Sequence, residues 1–180
     1  MPTIQHSGTL FTRALIPFDP ISLVEKPREG DWLYWGHMHR DVAGRDNWKK
    51  LVKRFPTIVP LRHPSLISES WKRREGEFEK ESWRLKEEWK FLIDEIDPYN
   101  PYYLPIDSPQ RQDYLDVINK DLGINARTRW KPVHSKKQTF NLQPKEIDSE
   151  LDFIKPLISR FYKVNYANKR NASIPQKQGR

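Results

Sequence analysis

The chain has 180 residues, 36% hydrophobic and 31% charged, with a formal net charge of +8. That length suits one domain with a real core rather than two. The absence of cysteine excludes disulfides, thiolate zinc sites and cysteine nucleophiles. No stretch approaches the roughly 20 apolar residues of a membrane span, and the first residues lack the apolar core of a signal peptide. A soluble, cytoplasmic protein is the expectation, with a compact core supplied by seven Trp and eight Phe.

Thr3 to Gln5 is a short apolar-leaning run that meets Gly8, and Thr9 to Leu15 then reads as helical. Ile16 to Gly30 contains Pro17, Pro20 and Pro27 and reads as irregular loop. Trp32 to Trp35 is aromatic and strand-like. Asp46 to Arg54 predicts a short helix, acidic at its start and basic at its end. Thr57 to Leu61 is the clearest buried strand.

From Ser65 to Asp97 the pattern is helical. Ile67, Trp71, Phe78, Leu85, Trp89, Leu92 and Ile96 fall on one face, with charged residues between them on the solvated side. Gly76 is a natural break and Pro98 a stop. Tyr102 to Ile106 predicts a strand. Asp107 or Ser108 then caps a helix with Pro109 at its first position, and Gly123 ends it. Asn125 to Pro144 is basic and loop-like. Glu146 to Tyr162 reads as a last helix bent near Pro156. The organisation expected is one domain over residues 1–164 and a polar, flexible tail over 165–180.

Strands alternating with helices imply an α/β fold with a parallel sheet covered on both faces. Such sheets bind ligands beyond the carboxyl ends of their strands. Three turns there are rich in chemistry: His6-Ser7-Gly8-Thr9, Gly36-His37-Met38-His39 and Arg62-His63-Pro64. A small-residue turn between strand and helix offers main-chain N–H groups to an anion. Gly8 allows close approach, and Ser7 and Thr9 add hydroxyls. No Gly-Lys-Ser/Thr follows, which argues against a standard ATPase or GTPase. His37 or His39 could serve as a general base; a structural role at a strand end is the plainer alternative, and a third metal ligand is lacking. Arg62, with Ser70 eight residues later, could converge on one phosphate; alone, Arg62 could be a surface ion-pair partner.

Together these segments resemble the sulfotransferase family, over roughly residues 2 to 133. That family has a Lys/Arg-Ser-Gly-Thr turn after its first strand, and His6-Ser7-Gly8-Thr9 stands in its place, with Phe11 near an aromatic position. Gly36-His37-Met38-His39 resembles the segment that carries a catalytic His. Arg62-His63-Pro64 with Ser70-Trp71 resembles the family's strand ending in Arg-x-Pro, with its Ser eight residues on. Tyr103 to Gly123 resembles its strand, acidic turn and helix ending in Leu-Gly. The resemblance implies a P-loop-NTPase-like three-layer sandwich around a central parallel sheet. It also implies transfer of a sulfuryl group from 3′-phosphoadenosine 5′-phosphosulfate (PAPS) to an acceptor hydroxyl, without a metal.

In that reading His37 is the base, with His39 in reserve, and His6 touches the sulfuryl group. Ser7, Gly8 and Thr9 hold the 5′-phosphate, and Arg62 and Ser70 hold the 3′-phosphate. The sequence departs from the family at two points. His6 replaces a Lys or Arg, for which Arg13 is the candidate to compensate. The late Arg-Lys-Gly-x-x-Gly stretch is missing, which leaves Arg127 to Lys131, with Trp130 and Lys131, as cofactor-binding candidates. Two rivals follow: a catalytically weak sulfotransferase-like domain that binds a nucleotide or a partner, and a basic nucleic-acid-binding protein using Arg127 to Lys137 and Lys163 to Arg180.

Overall fold

The computed structural model describes residues 2–4, 19–22, 32–38, 42–75, 78–108, 110–126, 147 and 149–162. The fold is mixed α/β, mostly helical, with parallel strand pairing. In chain order the elements are β1 (Pro2–Thr3), β2 (Asp19–Ser22), β3 (Trp32–His37), α1 (Val42–Arg54), β4 (Ile58–Leu61), α2 (Pro64–Glu75), α3 (Phe78–Phe91), β5 (Tyr102–Pro105), α4 (Arg111–Leu122) and α5 (Lys155–Phe161). A π-type turn (Leu92–Ile96) and a 3-10 turn (Asp97–Tyr99) prolong α3, and a second 3-10 turn (Ser149–Ile154) leads into α5.

β3 lies between β1 and β2, and β4 pairs with β5. Every one of these pairs is parallel, with Thr3 opposite His37, Ser22 opposite Trp35 and Leu61 opposite Pro105. β1 also lies alongside β4.

β4 is an unbroken apolar strand because both its faces are covered, as parallel sheets require. All four of its residues are buried. Val59, Leu61 and Tyr103 project to the larger core, with Trp48 of α1, Ile67 and Trp71 of α2, Leu85 and Trp89 of α3, and Leu157 and Ile158 of α5. Ile58 and Leu104 project to the other side, against Tyr114, Leu115 and Ile118 of α4. The alternation along the strand thus assigns each residue to one of two helical layers.

Prolines sit where this ladder tolerates them. The Tyr102 N–H donates to the Thr57 carbonyl (2.7 Å) and the Ile106 N–H to that of Leu61 (3.0 Å). The even-numbered amides of β5 therefore face β4, and Pro105 turns its nitrogen to the far edge, where no donor is needed. By the same phase, β4 uses its odd-numbered residues toward β5. Pro60 then turns its nitrogen toward β1, so that side of β4 keeps the Ile58 N–H and lacks a donor at position 60.

The helical face read from sequence is the buried one: Ile67, Trp71, Leu85, Trp89, Leu92 and Ile96 are all at most 2% exposed. Helix α2 ends at Glu75 and α3 begins at Phe78, so the break expected at Gly76 falls between two helices. In the π-type turn the Asp97 N–H reaches back to the Leu92 carbonyl, one residue more per turn than an α-helix. Asn100 then reverses the chain in the left-handed region (φ 51°). Gly123 ends α4 as expected: it adopts φ 64° and donates its N–H to the Asn119 carbonyl, a conformation glycine adopts without Cβ strain.

Four expectations are corrected. Asp19–Ser22, inside the proline-rich stretch read as loop, is a strand paired along its length with β3. α1 begins at Val42 rather than Asp46. Pro156 lies in the first turn of α5, where its missing N–H costs nothing; the kink falls earlier, at Leu151 (φ −109°, ψ 15°). α4 begins at Arg111 with Gln110 at its N-cap, so neither Asp107 nor Ser108 holds the cap position. The Ser108 hydroxyl accepts the Gln110 N–H (3.1 Å), and the Ser108 carbonyl accepts the Arg111 N–H (3.1 Å). The expected helix over Thr9 to Leu15, the basic stretch after Ala126 and the tail lie outside the described residues.

Candidate functional site

The carboxyl ends of β4 and β5 gather three polar groups whose ionisation burial perturbs, His63, Asp107 and Tyr162. Arg62, the first residue past β4, donates from Nε to Asp107 Oδ2 at 2.9 Å. Asp107 stands just past β5, so the parallel register of Leu61 and Pro105 brings two residues 45 positions apart into contact. The pair is largely enclosed, with 15% and 20% of the two side chains exposed. Burial holds the Asp107 carboxyl above its usual range, and the neighbouring Arg62 and Arg111 guanidinium groups pull it back only in part. Desolvation outweighs attraction here, as is common for enclosed ion pairs.

Tyr162, the residue after α5, lies against the end of β4. Its hydroxyl donates to the Leu61 carbonyl at 2.9 Å, and that carbonyl also takes the Ile106 N–H. Burial, reinforced by the negative charge of Asp107, pushes the phenol well above its ordinary range. Tyr162 is therefore a neutral donor that can lose no proton at working pH. Phe161 packs against Tyr103 and Tyr114 with ring centres 5.1 and 5.7 Å away. Arg160 donates to Asp97 Oδ1 at 2.8 Å. These contacts fix α5, and with it Tyr162, over the end of the strand pair.

His63 is fully buried in the turn between β4 and α2. Its carbonyl accepts the Leu66 and Ile67 N–H groups, and its ring Nδ1 accepts the Ser65 N–H (3.3 Å) beside the Ser65 hydroxyl (2.9 Å). His63 is thus the N-terminal cap of α2. With Nδ1 accepting, the ring hydrogen is assigned to Nε2, which has no partner among the described residues. The ring meets Tyr162 edge-to-face at 5.7 Å. Burial lowers its pKa from 6.5 to about 4, so it stays neutral at physiological pH and provides no charge to the site.

Ser70 stands half-buried on α2, next to the fully buried Trp71. With a rise of about 1.5 Å per residue it lies about 9 Å along the helix from Pro64. Arg62 and Ser70 thus share one strand–turn–helix unit, and Arg62 turns toward Asp107. His37 is the last residue of β3, opposite Thr3 at the end of β1, so the second and first of the three loaded turns start from adjoining strand ends. After it Met38 is fully buried, and its carbonyl accepts from Arg45 Nε (3.3 Å). His6, Ser7, Gly8, Thr9, His39, Trp130 and Lys131 lie outside the described residues.

Sequence reasoning missed three members of this site. Asp107 was read as a helix cap; its strand-end position was the available signal that it faces Arg62. Nothing local marks Tyr162 or the cap role of His63. Glu88 was read with the solvated charges of α3 and is fully buried. Its position three residues after Leu85 and four before Leu92 puts it on the apolar stripe.

Among the described residues no group of three or more His, Asp or Glu is placed to hold a metal ion, and no helix is long and apolar enough to cross a membrane. No protein family, no curated protein and no solved structure matches the chain.

Proposed function

We propose that the chain is a PAPS-dependent sulfotransferase of the P-loop-like three-layer fold. The observation that carries this reading is one succession of elements. A fully buried strand ends at Arg62, runs through Pro64 into a helix bearing Ser70, and pairs in parallel with a strand that ends in the acidic Asp107 and leads to a helix closed by Gly123. That is the order of parts in the family the sequence resembles.

Strand order adds support. The three-stranded sheet β2-β3-β1 lies with β1 near the β4-β5 pair, and read as one sheet the order would be β2-β3-β1-β4-β5. The chain leaves β1 toward β2 and leaves β3 toward β4. In one sheet of that order, right-handed crossovers would send the two connections to opposite faces, and the carboxyl end of β1 would then be a switch point of the kind where ligands bind. The residues that follow β1 are Gln5 to Thr9.

In this reading Arg62 and Ser70 hold the 3′-phosphate, and Arg62, enclosed at a strand end, fits an anion. The Ser7, Gly8 and Thr9 amides and hydroxyls hold the 5′-phosphate, His6 reaches the sulfuryl group, and Trp130 and Lys131 flank the nucleotide. His37 takes the acceptor's hydroxyl proton, with His39 in reserve. The bound donor supplies the sulfuryl group; the residues supply position and charge stabilisation.

The decisive measurement is thermal shift with 3′-phosphoadenosine 5′-phosphate (PAP) and adenosine 5′-phosphate on the wild type, Arg62→Ala and Ser70→Ala. At 100 times its dissociation constant PAP stabilises the wild type by about 2.7 kcal/mol, and adenosine 5′-phosphate by much less. Arg62→Ala abolishes most of that difference, and Ser70→Ala part of it. Equal shifts from the two nucleotides on the wild type refute the 3′-phosphate role.

A further inference from the structure

Arg62 has a built-in counter-ion. Its Nε is bonded to Asp107 at 2.9 Å, and the pair is mostly shielded from water, so screening of the carboxylate is weak. Among the described residues the charged and titratable groups that bear on Asp107 are Arg62 at the end of β4, Arg111 in the first turn of α4 and Tyr162 after α5. Tyr162 is a neutral phenol. Asp107 therefore draws on the same Arg62 guanidinium that a phosphate at this strand end would use.

A phosphate dianion held by Arg62 comes within a few ångströms of that carboxylate. Like charges so close in an enclosed site repel strongly. The carboxylate must let go of Arg62, take up a proton or tolerate the repulsion, and each course weakens phosphate binding. We infer that Asp107 is an internal competitor for Arg62 that lowers the affinity of the site for phosphate monoesters. This rests on reading Arg62 as the phosphate ligand. Its use would be release: an anion gripped by an uncontested, enclosed guanidinium leaves slowly, and product departure limits many enzymes. Asp107 sets how tightly the site holds what it must give up.

A purely supporting carboxylate and a competing one differ in sign. If Asp107 only positions Arg62, its removal weakens both the fold and phosphate binding. If it competes, removal weakens the fold, since Arg62 loses its counter-charge, and strengthens binding. Calorimetric titration at pH 7.5 separates the two, with inorganic phosphate, PAP and adenosine 5′-phosphate on the wild type, Asp107→Asn, Arg62→Gln and the double variant. Asp107→Asn is nearly isosteric and still offers an oxygen to Nε.

The expected result is that Asp107→Asn melts lower without ligand. It binds inorganic phosphate and PAP about tenfold more tightly than the wild type, a change of about 1.4 kcal/mol. The gain vanishes in the Arg62→Gln background. Equal or weaker phosphate binding by Asp107→Asn overturns the competitor role while leaving the sulfotransferase reading intact. A tenfold gain for inorganic phosphate, with PAP binding no better than adenosine 5′-phosphate, upholds the competitor and removes the nucleotide reading. Failure of every protein to bind phosphate or PAP overturns both.

Discussion

The two ends of the β4–β5 pair are built on different principles. At the carboxyl end, Arg62, Asp107, His63 and Tyr162 are enclosed, and each has a specific hydrogen-bond partner. At the amino end, Phe55 is 52% and Tyr99 38% exposed. There Lys53 stands 5.8 Å over the Tyr99 ring and Arg54 5.7 Å over that of Phe55. Both ends mix cations with aromatic or anionic groups. The carboxyl end shields its charged pair from water while these two cation–aromatic pairs stay exposed, and desolvation is what makes a polar contact costly to break. The contrast predicts that substitutions at the carboxyl end are felt by the whole fold, whereas similar changes at the amino end pass almost unnoticed.

The largest test is Arg62→Gln. It leaves Asp107 enclosed without its main counter-charge, and an uncompensated buried charge costs about 3 kcal/mol or more. Urea denaturation at pH 7.5 should show that loss, and the loss should shrink on acidification. Asp107 already binds its proton more readily than an ordinary carboxyl, and a protonated Asp107 no longer needs the guanidinium. A loss below 1 kcal/mol at pH 7.5 would erase the distinction between the ends.

Next is the acid limb of stability. The folded His63 titrates near 4 and the unfolded ring near 6.5. Between those values the unfolded chain binds more protons, so stability is whole above pH 6.5 and falls as pH drops toward 4. The full difference is about 3 kcal/mol. In His63→Asn, which keeps a side-chain oxygen to cap α2, melting temperature followed from pH 7 to 4 should lose much of that slope. A slope identical to wild type removes His63 from the acid response.

Tyr162→Phe deletes one buried hydroxyl and leaves the Leu61 carbonyl its bond from Ile106. The expected cost is about 1 kcal/mol in chemical denaturation. A cost near zero would mean that α5 is held by its apolar face alone. The smallest effects belong to the amino end. Lys53→Gln and Phe55→Ser should each change stability by less than about 0.5 kcal/mol, and a larger loss in either would show that this end is less solvated than its exposure implies.

How much of this could be read from the sequence depended on how local the cause was. The helical stripe from Ile67 to Ile96, the buried run of β4 and the end of α4 at Gly123 are written in spacing and in single residues with special dihedrals. β2 was hidden because Pro20 argues against a strand, and only its pairing with β3 overrides that. Asp107 illustrates the limit most clearly. Asp and Ser before Pro are natural caps, yet Asp107 is drawn to a guanidinium from a distant strand and α4 starts later, with Gln110 at its N-cap. The strand-end position of Arg62 was legible; its partner, set by the parallel register, was not. Of the remaining site candidates, His37 is legible as a strand-end residue, and its standing beside the end of β1 follows from pairing alone.

Pro60 carries a consequence for cooperativity. Its nitrogen faces β1 and cannot donate, and among the described residues no hydrogen-bonded ladder joins the three-stranded to the two-stranded sheet although β1 and β4 lie near each other. Hydrophobic contact spans this seam, because Ile4 and Met38 share the core of Val59 and Leu61. Apolar packing without a ladder is the weaker coupling, and a protein opens first where its coupling is weakest. The amides of β4 and β5 should therefore resist deuterium exchange as one unit, with those of β1 to β3 opening separately and at lower free energy. Any ligand that bridges the ends of β1 and β4 would bind the two units into one, and slowed exchange in β1 to β3 would record its arrival.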